Sequence, residues 1–127
     1  MDSIRVGADE LTFQVTSETL LAVEVRMPPG GGPPGLHRHA PDELYRGERG
    51  EFTIYLEDER IPLGPGDVVH IPGGVAHTVR NESGEEALAY VVFSPGAEME
   101  AFVRAAAALD DPAGVRPLAE RHGIEFV

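Results

Sequence analysis

The sequence predicts a mainly β fold, an antiparallel sandwich or barrel, with a C-terminal helical segment. Between residues 11 and 94, short apolar or alternating stretches are separated by turns rich in glycine, proline, asparagine and aspartate. This spacing is typical of antiparallel all-β proteins. After residue 95 the apolar residues recur at helical spacing instead. A chain of 127 residues fits one domain. We therefore expect a single domain over 1–127, with the barrel in 1–94 and the helical segment in 95–127.

Seven strands are predicted in the barrel region. The alternation in LTFQV and EFTIYL and the branched residues in LLAVEVRM are typical of β-strands. In chain order, the predicted strands cover residues 11–15, 20–27, 51–56, 60–63, 68–71, 75–80 and 87–94. Residues 1–10 are more weakly patterned and suit an edge strand. The stretch PPGGGPPG, residues 28–35, predicts a loop because it cannot form regular structure.

Two helices are predicted after the barrel. Residues 98–109 have helical composition, and their apolar side chains fall on one side, namely Met99, Phe102, Val103 and Ala106. A second helix is expected over 113–122, ended by Gly123. Residues 124–127 form a short apolar tail. Two roles are open for the segment 98–122: a lid over the barrel mouth, or an outer buttress against a sheet.

Composition excludes several classes of function. The formal charge of −12 argues against nucleic acid and anionic membrane as partners, since both require a basic surface. The absence of cysteine excludes thiolate ligands, catalytic thiols and disulfides. No signal peptide pattern precedes the first strand, and no apolar run approaches about 18 residues. The expected location is the cytoplasm.

The stretch GGPPGLHRHAPDELYRGERG, residues 31–50, and the stretch GDVVHIPGGVAHTVRN, residues 66–81, carry the predicted site. Residues two apart in a strand share a face, so His37 and His39 can direct both imidazoles to one point. Glu43 can add a carboxylate there, and His77 in the second stretch can add a third imidazole. Three neutral nitrogens and one oxygen anion suit a divalent first-row metal.

These residues resemble the two motifs of the cupin family. The first motif is matched by Gly31, His37, His39, Glu43 and Gly50, and the second by Gly66, Pro72, Gly74, His77 and Asn81. The resemblance implies an antiparallel jelly-roll barrel. It also implies that His37, His39, Glu43 and His77 bind one divalent transition metal ion: Mn, Fe, Ni, Co or Zn. Structural roles in turns are expected for Gly66, Asp67 and Asn81.

One segment departs from the family pattern. Between Glu43 and Gly50 the family carries aromatic and branched residues, whereas this chain has Arg46 and Glu48. We expect these two side chains to pair and face solvent; the alternatives are a polar contribution to the pocket or to an oligomer contact. Two further histidines, His70 and His122, lie outside the motifs. Ordinary structural positions are expected for both, His122 near a helix end where positive charge is favourable.

Three functions are consistent with such a site. The resemblance to the small quercetinase-like cupins implies a metal-dependent dioxygenase, an oxidoreductase acting on a small organic substrate that chelates the metal. The alternatives are a non-catalytic binding module for metal or a small ligand, and a metal-assisted isomerase or decarboxylase. In either enzyme Glu43 could release the metal and act as the catalytic base.

Other expectations concern the pocket and the partners. One or two aromatic side chains should line the pocket, drawn from Tyr45, Phe52, Tyr55, Tyr90 and Phe93. The expected partner is a small-molecule substrate or ligand, with no nucleic acid and no membrane. A homodimer is expected as well, because exposed sheet edges favour pairing, and residues 1–15 are the candidate contact.

Overall fold

In the computed structural model, which describes residues 2–127, eleven strands form two antiparallel sheets. The larger sheet has the strand order β1-β2-β3-β10-β5-β8 and the smaller sheet the order β11-β4-β9-β6-β7. The strands are β1 Ser3–Val6, β2 Asp9–Thr16, β3 Leu21–Met27, β4 His37–Arg38, β5 Asp42–Arg49, β6 Phe52–Leu56, β7 Glu59–Leu63, β8 Val68–Ile71, β9 His77–Arg80, β10 Ala87–Ser94 and β11 Glu125–Phe126. The predicted mainly β, jelly-roll architecture is confirmed.

The core lies between the two sheets. On β10, alternate residues are buried, and Ala87, Ala89, Val91 and Phe93 face inward. From the smaller sheet, Phe52 and Ile54 of β6 are 1% and 0% exposed. Full burial of each large apolar side chain stabilises the fold by about 1.5–3 kcal/mol. Because side chains alternate along a strand, the same register that buries this core decides which polar residues face inward.

The C-terminal segment closes one side of the space between the sheets. It consists of helix α1 (Ala97–Ala107), a 3-10 turn (Pro112–Gly114) and helix α2 (Val115–Arg121). Met99 and Val103 on the inner face of α1 are buried and line the internal cavity. The segment therefore forms a wall of the cavity, and α1 also contacts β1 and β3 of the larger sheet. No helix within residues 2–127 is long and apolar enough to cross a membrane.

The seven predicted strands are all present, with ends shifted by at most two residues, and the expected edge strand is β1, Ser3–Val6. Strand β5 contains Arg46 and Glu48, the two residues that depart from the family pattern. Arg46 and Glu48 face outward on β5, with Arg46 Nη1 3.4 Å from Glu48 Oε2, so the solvent-exposed pair is confirmed.

The C-terminal tail behaves differently from the expectation. Residues 124–127 were predicted only as an apolar tail, but Glu125 and Phe126 form strand β11, which pairs with β4. The backbone N–H of Val127 also donates to the Leu36 carbonyl, at 2.9 Å. The sequence does not reveal this pairing, because a two-residue strand has no periodicity and its partner is about 90 residues away in the chain.

Candidate metal centre

Three histidines of the smaller sheet converge inside the barrel. His37 on β4 and His77 on β9 are direct cross-strand partners, and their ring centroids lie 4.5 Å apart. His39 follows β4, and its ring centroid lies 4.8 Å from that of His77. One ring nitrogen from each histidine lies within 4.8 Å of the others, so the trio could hold a metal ion. The structure thus brings together the three histidines that the motifs selected.

Glu43 approaches the same point from the larger sheet. It lies on β5, only 4% exposed, and its Oε1 is 3.1 Å from Nε2 of both His39 and His77. The four predicted ligands therefore form one cluster, which we call the histidine–glutamate cluster. It spans the space between the two sheets, so its geometry depends on how the sheets pack and not on either sheet alone.

Backbone carbonyls orient all three imidazole rings. Nδ1 of His37 is 2.9 Å from the Gly35 carbonyl oxygen, and Nδ1 of His77 is 2.9 Å from that of Val75. Nδ1 of His39 is 3.0 Å from the Pro41 carbonyl oxygen. A carbonyl can only accept, so each Nδ1 carries the hydrogen and each neutral ring keeps a lone pair on Nε2. Such second contacts are the usual means by which proteins set the tautomer of a metal-binding histidine.

Burial and mutual contacts set the charges of the cluster. Burial lowers the pKa of His37 to about 4, with the neighbouring His77 acting in the same direction, so His37 is neutral near pH 7. Burial alone would raise the pKa of Glu43, but the hydrogen bonds with His39 and His77 hold it down at about 2. Burial opposes a charge on His77 as well, yet the contact with Glu43 raises its pKa.

This donor set fits a divalent cation. In His39 and His77, Nδ1 faces a carbonyl and Nε2 faces the Glu43 carboxylate, so without a cation both nitrogens could donate only from a charged imidazolium. Two imidazolium ions so close together in a buried site would be costly. A metal ion would instead accept the Nε2 lone pairs and balance the carboxylate. Imidazole and carboxylate ligands together suit Mn, Fe, Co, Ni and Zn.

Tight backbone contacts hold the segments that carry the cluster. The backbone N–H of Gly74 donates to the His39 carbonyl, at 2.8 Å. A Cβ atom at Gly73 would lie 2.1 Å from the Ala40 carbonyl oxygen, so only glycine allows the bend to pack this closely. Asn81 is 0% exposed, and its side chain donates to the Met27 carbonyl at 2.9 Å, which confirms its predicted structural role.

A cavity of about 650 Å³ opens onto the cluster. Its lining is mostly apolar and comes from the inner faces of both sheets and from α1. Of the five aromatic candidates, Tyr45 and Phe93 line it, in agreement with the expected one or two. Burial, together with the charge of the adjacent Glu43, raises the pKa of Tyr45, so its hydroxyl keeps its proton at neutral pH.

Two cavity residues were missed in the sequence. Phe126 lies against His37, with 5.7 Å between ring centroids, and Asp9 is a buried carboxylate on β2. Phe126 carries no signal in the sequence. Asp9 could have been noticed, since its place two residues before Leu11 puts it on the inward face of a strand.

The remaining histidines lie outside the cluster, as expected. His70 is exposed on β8, where its Nε2 is 3.3 Å from Asp42 Oδ2. His122 follows α2, and its Nδ1 is 2.7 Å from Glu98 Oε1. Both make surface contacts with carboxylates, which is consistent with ordinary structural roles.

Fold and cluster together define the class of protein. Residues 23–93, more than half of the chain, match the family model described as the cupin domain. This chain belongs to the cupin family.

Individual relatives support the same assignment. The uncharacterized protein SCO3923 of Streptomyces coelicolor is 30% identical over 95 residues, which cover 75% of this chain and 90% of the relative. The crystal structure of TT1209 from Thermus thermophilus has 32% identity and a TM-score of 0.61, over 67% of this chain and 83% of that one. KdgF from Halomonas sp. has 26% identity and a TM-score of 0.68, over 75% and 88%.

Proposed function

We propose that this protein is a metal-dependent enzyme, a dioxygenase that acts on a small organic substrate able to chelate the metal. The observation that carries the proposal is the position of the histidine–glutamate cluster, which opens onto a largely apolar cavity of about 650 Å³. A cavity of this size suits a small organic molecule. A purely structural metal site would be closed, without an adjoining cavity.

The ligand roles follow from the donor atoms. His37, His39 and His77 would hold the ion through Nε2, and Glu43 would supply one carboxylate oxygen. When bound, a divalent ion acts as a Lewis acid and leaves coordination positions for a chelating substrate. The apolar lining supports oxygen chemistry, because dioxygen is apolar and concentrates in such surroundings while water is excluded. The metal is one of Mn, Fe, Ni, Co or Zn, and loading experiments identify it.

Glu43 is the proposed catalytic residue. The Glu43 carboxylate is ionised near neutral pH, and on release from the metal it could accept a proton from a substrate hydroxyl placed beside it. Tyr45 lies two residues further along β5, on the same inner face as Glu43, and its raised pKa keeps the hydroxyl protonated, so that it can donate a hydrogen bond to the substrate. The two side chains place a proton acceptor and a hydrogen-bond donor on one wall of the cavity.

Oxygen uptake tests the proposal. The protein is loaded separately with iron, nickel, cobalt, manganese and zinc and supplied with flavonols, catechols and diketones. We expect uptake with one substrate class, and we expect Glu43→Gln to lower kcat by about 10²–10⁴-fold, the usual contribution of a general base. His70→Ala is the matched control, because His70 is a histidine outside the cavity. Substrate consumption without oxygen uptake would contradict the dioxygenase assignment.

A second candidate is a metal-assisted isomerase or decarboxylase. The position of Tyr45 and Glu43 on one wall of the cavity favours it, since these reactions use a proton acceptor and a hydrogen-bond donor but need no oxidant. Product formation under anaerobic conditions would select this candidate. Tight binding of a small ligand without turnover by any metal form would instead select the non-catalytic binding module.

A further inference from the structure

A second carboxylate, that of Asp9, lines the same cavity but belongs to a different strand from the cluster. Asp9 is the first residue of β2, and the next inward-facing residues of that strand are the apolar Leu11 and Phe13. Only 9% of Asp9 is exposed. Acidic residues are almost never buried to this extent unless they are paired. The position of Asp9 therefore calls for a partner.

Strand register places Asp9 and Glu43 toward opposite ends of the larger sheet. Glu43 on β5 pairs with a residue of β10 that in turn pairs with Leu21, the first residue of β3. Asp9 lies beside the other end of β3, because the residue that follows it, Glu10, pairs with Arg26. Both carboxylates are on the inner face of the sheet. They thus mark two separate regions of one cavity wall.

The Asp9 carboxylate is only partly satisfied. The backbone of Gly32 lies near enough to lower the pKa of Asp9. Its Oδ1, however, is fully buried and has no hydrogen-bond partner within residues 2–127. The charge of Arg80 acts on Asp9, but the guanidinium of Arg80 donates to the Pro33 and Gly30 carbonyls, at 3.0 Å each. The carboxylate of Asp9, a residue that lines the cavity, is thus left with one oxygen that no donor within residues 2–127 satisfies.

The surrounding backbone holds this carboxylate in place. A Cβ atom at Gly31 would lie 2.6 Å from Asp9 Oδ1, so only glycine leaves room for the acid here. Burial raises the pKa of Asp9 to about 6, while the Gly32 backbone and the Arg80 charge act in the opposite direction. Burial of this acid lowers the stability of the fold, and such a loss of stability is common at residues that bind a ligand.

We propose that Asp9 accepts a hydrogen bond from a hydroxyl or ammonium group of the substrate and so positions the substrate's chelating end at the histidine–glutamate cluster. The inference rests on the proposed function and specifies its substrate class. That class is a small, largely apolar molecule with a metal-chelating group at one end and a hydrogen-bond donor at the other. Asp9 is a specificity-determining residue and takes no part in the chemical step.

Binding of three matched catechols tests the proposal. 4-Ethylcatechol, 4-(2-hydroxyethyl)catechol and 4-(2-aminoethyl)catechol share the chelating end, and only the last two carry a distal donor. Titration calorimetry measures the affinities. We expect the wild type to bind the two catechols with a distal donor about tenfold more tightly than 4-ethylcatechol, because 4-ethylcatechol would leave the buried acceptor unpaired. Asp9→Leu should abolish this preference without weakening 4-ethylcatechol. Asp9→Asn should reduce it most for the amine, because the carboxamide keeps an acceptor oxygen but loses the charge.

Controls separate this inference from the proposed function. Glu10→Gln removes the same charge from the outer face of β2 and should leave the preference unchanged. The series is repeated after EDTA treatment, where loss of a chelated metal weakens all three catechols alike and leaves the donor preference intact. Equal binding of the three catechols by the wild type, no binding at all, or a preference that survives in Asp9→Leu would overturn the proposal. A lower melting temperature of Asp9→Asn together with an unchanged preference for the catechols with a distal donor would also overturn the proposal. In that case the role of Asp9 would be to stabilise the backbone at Gly32.

Discussion

At the scale of single residues, the histidine–glutamate cluster depends on tautomers set by the backbone. The carbonyls of Gly35, Pro41 and Val75 each face the Nδ1 atom of a histidine two residues away, which leaves Nε2 for the ion. A histidine that lost its carbonyl partner could present the wrong nitrogen. The proposed ligands are therefore fixed by their own loops as well as by the barrel.

Replacement of His77 by alanine is expected to reduce metal retention sharply. His77 contributes one of three clustered nitrogens and is the direct partner of His37 across β4 and β9. We expect the loss of affinity to exceed the roughly 10–100-fold typical of removing an outer contact of a metal ligand. Elemental analysis after dialysis measures the bound metal. His70→Ala is the control, and an unchanged metal content in the His77 variant would remove His77 from the ligand set.

Asp9→Asn is expected to stabilise the protein near pH 7. The pKa of Asp9 is about 6 when folded and 3.8 ordinarily, so ionisation of the buried acid opposes folding increasingly as the pH rises from about 4, and fully above about pH 6. At pH 4 the folded acid is protonated and the unfolded acid is only partly ionised, so most of the charge penalty is absent. We therefore expect the variant to raise the free energy of unfolding by roughly 1–3 kcal/mol at pH 7 and by little at pH 4.

Urea denaturation at the two pH values measures this effect. Glu10→Gln is again the matched control, because Glu10 is the neighbouring acid on the outer face and is only partly buried. An equal change at both pH values would show that the Asp9 charge is not penalised by burial. A loss of stability at pH 7 would show that the interaction with the Gly32 backbone outweighs that penalty.

At the scale of elements, the short strand β11 supports β4, the strand that carries His37. It pairs with β4, places Phe126 opposite His37 in the register, and brings their ring centroids to 5.7 Å. The guanidinium of Arg116, on α2, lies over the same Phe126 ring, 4.6 Å from its centroid. The chain that follows the C-terminal helices thus returns to the smaller sheet, beside His37.

Phe126→Ala is expected to weaken metal binding by roughly tenfold, the lower end of the effect of outer contacts on metal affinity. The reason is that β4 would lose the ring that packs on His37 and keep only backbone pairing. Val127→Ala is the control, since Val127 is 65% exposed and should not affect the ion. Competition with a fluorescent chelator measures both variants, and equal affinities would exclude a role for Phe126 in orienting His37.

At the scale of the whole molecule, the N-terminal strand offers a contact for a second copy. Strand β1 is at one end of the six-stranded sheet, and such edges favour pairing with another chain. Exposed apolar residues also occur nearby in the chain, at Val15 and Leu20, 41% and 37% exposed. A homodimer through residues 1–15 remains our expectation.

Light scattering measures the oligomeric state. We expect a mass twice that of one chain, and we expect deletion of residues 1–7 to yield a monomer with unchanged metal content, because the cluster lies on other strands. A monomeric full-length protein would contradict the expectation. A deletion variant that stays dimeric would assign the contact to another surface.

Local patterns along the chain are enough to predict the fold class, the turns and the four residues of the histidine–glutamate cluster. These features are local: alternation predicts strands, glycine and proline mark bends, and the spacings of His37, His39, Glu43 and His77 are visible along the chain. Three features become visible only when the chain is folded: β11 pairs with β4, α1 forms a wall of the cavity, and Asp9 shares this cavity with the cluster. Those contacts join residues far apart in the chain, and they depend on how two sheets and a helix pack, which no local pattern encodes.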